Sequence, residues 1–158
     1  MSKIVRRSLA ALGIVLATAA VPAIAGAGAA ETETITGKAT ETFVDVVPSC
    51  AEDAPAYEIT IDYNFVEHET LQDDGAHFTF TSTGKFVATA LEAGEPDASG
   101  TFTQWAGFNE NPGGAVNGTF TFSVRGRFED GTRINFHVTD HFNVTPTGAE
   151  FFFTHCRE

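Results

Sequence analysis

A chain of 158 residues with a net charge of −12 has the length of one domain, and its 21 carboxylates against nine basic side chains argue against nucleic acid or an anionic membrane surface as a partner. Fifteen phenylalanines can fill a large core, whereas one tryptophan and two tyrosines are too few for the aromatic girdles of an outer-membrane barrel.

Residues 1–30 read as a secretory signal and short leader. Lys3, Arg6 and Arg7 give a basic start, Leu9 to Val21 an apolar run, and the small residues between Ala25 and Ala30 a cleavage region. The run is shorter than the roughly 20 apolar residues that span a bilayer, and Pro22 interrupts it, so no membrane contact is expected after cleavage. Residues 31–158 then form a single secreted domain. Setting aside the three bases of the signal moves the charge from −12 to −15, which favours a dispersed monomer.

Seven segments follow with strand character, near 35–46, 57–68, 76–90, 100–109, 117–128, 132–144 and 149–156. Their signature is alternation, as in His77-Phe78-Thr79-Phe80-Thr81 and Thr119-Phe120-Thr121-Phe122-Ser123-Val124, which sends phenylalanines to one face and hydroxyls to the other. Turn chemistry separates them at Asp73-Asp74-Gly75, Gly94-Glu95-Pro96-Asp97, Asn111-Pro112-Gly113-Gly114, Asp130-Gly131 and Pro146-Thr147-Gly148, and no amphipathic helix intervenes. The expected fold is all-β, an antiparallel up-and-down β-barrel of seven strands, or eight if the third segment bends at Gly84. A two-sheet sandwich is the alternative.

Register follows from loop length. A three-residue turn at Glu129-Asp130-Gly131 pairs Val124 with Phe136 and Phe122 with Val138 on one face, Ser123 with His137 and Thr121 with Thr139 on the other. It also sets Phe120 opposite Asp140, a carboxylate on the apolar face. For the next hairpin an even loop is expected, with Phe142 opposite Phe151 and His155 diagonal to Asp140.

Cys50 and Cys156 are the only cysteines, and an oxidising compartment favours their pairing into a disulfide. Such a bridge closes a loop of roughly 100 residues and contributes about 4 to 5 kcal/mol in the loop-entropy account. No spacing reads as a metal or cofactor site. His137 and His141 lie about 13 Å apart along a strand, and Glu67-His68-Glu69 alternates faces.

Polar residues that interrupt the apolar faces are the candidates for a site. Asp140, His155, Gln104, Glu67 and Tyr63 are expected around a cavity, with His155 first and Gln104 second as the partner of Asp140. No catalytic set is assigned. The expected function is binding of a small apolar ligand or of a surface partner. One alternative is a cyclase or isomerase that uses Asp140, His155, Glu67 and Tyr63 in a water-poor cavity, and another is an interaction protein of the cell envelope.

The Pro48-Ser49-Cys50 followed by Tyr57-Glu58-Ile59-Thr60, the Val66-Glu67-His68-Glu69-Thr70 element, the Asp130-Gly131 hairpin and the closing Phe153-Thr154-His155-Cys156 resemble small exported actinobacterial proteins of unknown function. The resemblance spans the mature chain and implies a lipocalin-like or allene-oxide-cyclase/dirigent-like barrel layout. It brings no catalytic motif, and the lipocalin Gly-x-Trp is absent.

Overall fold

Strands with one phenylalanine face and one threonine face must cover the first, and with no helix between them the sheet has only itself to do so. A computed structural model describes residues 30–50, 54–73, 75–111 and 113–158. Up to residue 29, the expected signal lies outside the described residues. The fold is all-β: β1 (Glu31–Val46), β2 (Ala56–Gln72), β3 (Gly75–Ala90), β4 (Ala98–Glu110), β5 (Val116–Phe128), β6 (Arg133–Val144) and β7 (Glu150–Arg157) form one antiparallel sheet in sequence order. The sandwich is therefore not adopted. β3 also runs unbroken through Gly84, so no eighth strand forms. β1 and β7 are not hydrogen-bonded to each other, so the sheet is left open along that seam and the expected barrel is not closed.

A clasp holds the two outermost strands together at one end. Cys50, just past β1, is bonded to Cys156 of β7 with the Cα atoms 5.9 Å apart. Beside the bridge, the Ser49 hydroxyl and the Cys50 amide donate to the Glu158 carboxylate at 2.7 and 2.8 Å. Both hydrogen bonds favour the charged form, and they hold this carboxyl below its usual range. The result is a trough whose concave face carries 13 of the 15 phenylalanines, with only Phe151 and Phe153 outside.

Packing alternates large against small. Gly84 lies under Tyr63 and Phe102, where an added Cβ would come within 2.8 Å of both, so the rings close over the strand instead of standing away from it. Tyr57, Ile59, Phe86, Ala88, Ala98, Phe102, Val124, Ile134 and Phe136 form the buried core with Val47, all towards the clasped end of the strands. Each aromatic buried here contributes about 1.5 to 3 kcal/mol before chain entropy.

The β5–β6 hairpin has the expected register, with Val124 opposite Phe136, Phe122 opposite Val138 and Phe120 opposite Asp140. Gly131 closes it at φ +90°. The β6–β7 hairpin does not follow the expectation. Thr145 pairs with Ala149 through a 2.9 Å backbone bond, so the loop is 146–148, odd and not even. Phe142 therefore faces Phe152, and Asp140 faces Thr154. The cause is the turn itself: Gly148 sits at φ +81° and donates to the Thr145 carbonyl, just as Gly131 donates to Phe128. Gly114 at φ +82° likewise donates to Asn111 in the β4–β5 hairpin, where the preceding Gly113 is left-handed too, at φ +92°.

Candidate functional site

Along the concave face, the chemistry changes from one end of the strands to the other. The clasped half is filled, and the cavity inside it measures only about 70 Å³, between Phe43, Ile59, Ile61, Phe86, Phe102, Phe122 and Gln104. Small-molecule sites take roughly 300 to 1,000 Å³. Gln104 is 6 % exposed and lies opposite Ser82, 2 % exposed, a polar pair set between Phe65 and Phe122.

Beyond that pair the strands continue, but the rings are only partly covered. Phe65, Phe78, Phe80, Phe108, Phe120 and Phe142 are half-buried, and Phe152 is 68 % exposed. These rings stand in rows. Phe78 meets Phe108 at 5.9 Å between centroids, Phe108 meets Phe142 at 5.5 Å, and Phe142 meets Phe152 at 6.4 Å. Gly118 of β5 makes the middle contact possible, since a Cβ there would lie 2.3 Å from Phe142 and 2.7 Å from Phe108. In the next row Phe65 stacks on Phe80 at 6.1 Å. Such ring pairs prefer offset or tilted geometry at these separations. The open half is thus an aromatic-walled trough reached from the unclasped end.

The five sequence candidates divide between the faces. Tyr63, Gln104, Glu67 and Asp140 lie on the concave face, Gln104 at the inner end of the trough and Glu67 and Asp140 on its walls. His155 does not. It pairs with Thr139 on the outer face, because the odd β6–β7 loop turns β7 over relative to the expected register. The expected Asp140–His155 pair is therefore not formed, and Gln104 does not replace it. Oδ1 of Asp140 is buried and has no hydrogen-bond partner, alone in this among the described residues. Leaving such a group unpaired costs about 1 to 3 kcal/mol. The cyclase set of Asp140, His155, Glu67 and Tyr63 is likewise not assembled in one place.

Tyr63 sits where the filled and open halves meet, and its hydroxyl donates to the Glu41 carboxylate at 2.5 Å. Burial first, then that hydrogen bond and the charge of Glu41, push its phenol up to about 12. Tyr57, 1 % exposed, is also raised, by burial and then by the carboxylates Glu95, Asp97, Asp130 and Glu92.

On the outer face, histidines join cross-strand hydroxyl and amide ladders: His68 with Thr34 at 2.8 Å, His77 with Asn109 at 2.5 Å, His137 with Ser123 at 2.6 Å and His141 with Thr119 at 2.8 Å. Among the described residues no group of three His, Cys, Asp or Glu is placed to hold a metal ion. An open depression of about 700 Å³ lies over Gly84 on this side, bordered by Lys38, Thr40, Asp62, Asn64, Thr83 and Lys85. Its polar, unenclosed walls contrast with the trough. Among the described residues no helix is long and apolar enough to cross a membrane.

What sequence reasoning missed is the trough as a unit. Phe78, Phe108, Phe142 and Phe152 form one row only when four hairpin registers are combined, and the β3–β4 connection between Ala90 and Ala98 is too long for a turn glycine to set its register. In comparison with known proteins, the chain finds no significant match to any family model, curated protein or solved structure.

Proposed function

We propose that the chain is a secreted binding protein that holds a small apolar molecule in the open half of its trough. The observation that carries this reading is the contrast within one concave face: a filled core in the clasped half, and seven phenylalanines left half-covered or exposed in the other. A monomer rarely leaves so large an apolar patch exposed without a use for it. The unpartnered oxygen of Asp140 supplies a polar contact among apolar walls, the usual composition of a small-molecule site. Export is supported by the disulfide, since such bridges persist in oxidising compartments.

Fluorescence of the neutral dye Nile red with the disulfide-intact protein tests the reading. Uptake of one dye per chain is expected, with at least fivefold weaker binding in the double variant Phe108→Ala, Phe142→Ala. No uptake, or uptake unaffected by the double variant, overturns it. Mass spectrometry of protein secreted by its own host then shows which molecule is retained. A second reading, a protein partner on the outer face, is favoured by Phe151 and Phe153, each 61 % exposed beside one another on β7. Replacing both with serine leaves Nile red binding unchanged on the first reading and abolishes partner capture on the second.

A further inference from the structure

Alternation sorts more than hydrophobicity in this sheet. Each of the six bases in the described strands, Lys38, Lys85, Arg125, Arg127, Arg133 and Arg157, falls on the outer face, and so do all five histidines. The carboxylates do the reverse. Glu31 and Glu33 of β1, Glu67 and Glu69 of β2, Glu110 of β4, Asp140 of β6 and Glu150 of β7 share the concave face in its open half, and Glu41 and Asp45 of β1 share it towards the clasped end. Of the acids in strands, only Glu58 and Asp62 point outward. Among the described residues no cation on the concave face offsets this set.

Resting on the apolar-ligand reading above, we propose that the trough selects apolar cations: amphiphiles or ring compounds that carry an ammonium group. The rows of phenylalanine take the apolar body, and their ring faces attract a cation directly. The ammonium meets carboxylates at the mouth, or reaches the unpartnered oxygen of Asp140 beside Phe120. An anionic amphiphile of the same shape finds no positive group and is repelled at each step into the mouth. A neutral one gains the wall contacts alone. The acidic rim thus discriminates by charge, while the phenylalanines supply the common affinity.

The test compares three probes with one chain length, decyltrimethylammonium, decanol and decanoate, each below its micelle concentration, in displacing Nile red from the disulfide-intact protein. Decyltrimethylammonium is expected to bind at least tenfold tighter than decanol, and decanoate weaker than decanol. The triple variant Glu67→Gln, Glu69→Gln, Asp140→Asn should cut the cation preference at least threefold and leave decanol unchanged. The outward pair Glu58→Gln, Asp62→Asn should leave the preference intact, which separates the trough from the acidity of the whole protein. Equal binding of the three probes overturns charge selection and leaves the apolar trough standing, as does an equal loss of preference in the outward pair. Displacement by none of them, with Nile red itself not taken up, overturns both readings. A chain that dimerises and takes up Nile red only on dilution would place a second copy in the trough, and would likewise overturn the proposal.

Discussion

The clasped and unclasped ends of this sheet are made of the same seven strands and the same residue types, yet one end is a core and the other a trough. At the clasped end, the Cys50–Cys156 bridge and the Glu158 carboxylate draw the outermost strands together, and Phe86, Phe102 and Phe136 are at most 9 % exposed. At the other end nothing joins β1 to β7, and phenylalanines in equivalent positions along the strands stay half-covered. Alternation therefore decides which face is apolar, but a long-range link decides which part of that face is removed from water.

The largest effect that would break this comparison is loss of the clasp. Cys50→Ser with Cys156→Ser should lower the unfolding free energy by about 4 to 5 kcal/mol, read from urea titration, and should expose the core of the clasped half. An intact double variant with unchanged stability would show that packing alone curls the sheet.

Truncating one ring at each end sharpens the contrast. Phe102→Ala in the filled half should cost about 3 to 5 kcal/mol, as buried phenylalanines do. Phe142→Ala in the trough should cost only about 1 to 2 kcal/mol, roughly the share of burial it has. Equal costs would mean that the trough is as closed as the core.

Asp140 gives a smaller effect of opposite sign. Replacing it with valine removes a buried oxygen that has no partner, so stability should rise by about 1 kcal/mol while cation binding falls. A destabilised Asp140→Val would show that the carboxylate is compensated within the fold.

The smallest effect is alkaline. Tyr63 holds its proton up to about 12 against an ordinary value of 10.0, so the folded state binds that proton more tightly than the unfolded chain. The stabilisation is complete below about pH 10 and is lost as pH rises from about 10 to about 12. Absorbance at the tyrosinate band should therefore show less ionisation at pH 10 in the native protein than in the unfolded chain, since Tyr57 is raised as well. Half-ionisation near pH 10 would place the phenols in water.

Much of this was readable from residues. The Phe/Thr alternation gave strands and faces, and Glu129-Asp130-Gly131 gave the β5–β6 register with Phe120 against Asp140. Pairing of Cys50 with Cys156 followed from there being no other cysteine. The β6–β7 register was misread although Pro146-Thr147-Gly148 ends in the same turn glycine, and that one residue of loop moved His155 to the other face. Whether β1 meets β7 is not a local property, because it depends on curvature accumulated over six hairpins. The sorting of acids and bases was present in the parity of each strand, but it became visible only once the six registers tied those parities to a common face.

Seven is an odd number, and the seam inherits a consequence from it. In an up-and-down meander the first and last strands of an odd set point the same way, so β1 and β7 can meet only as parallel neighbours, with slanted and weaker bonds than those that join every other pair. The disulfide replaces that missing ladder at a single point. The two edges are thus pinned together at one end by a covalent bond and joined by no ladder at the other, so the mouth of the trough is the end at which the sheet carries no constraint of its own.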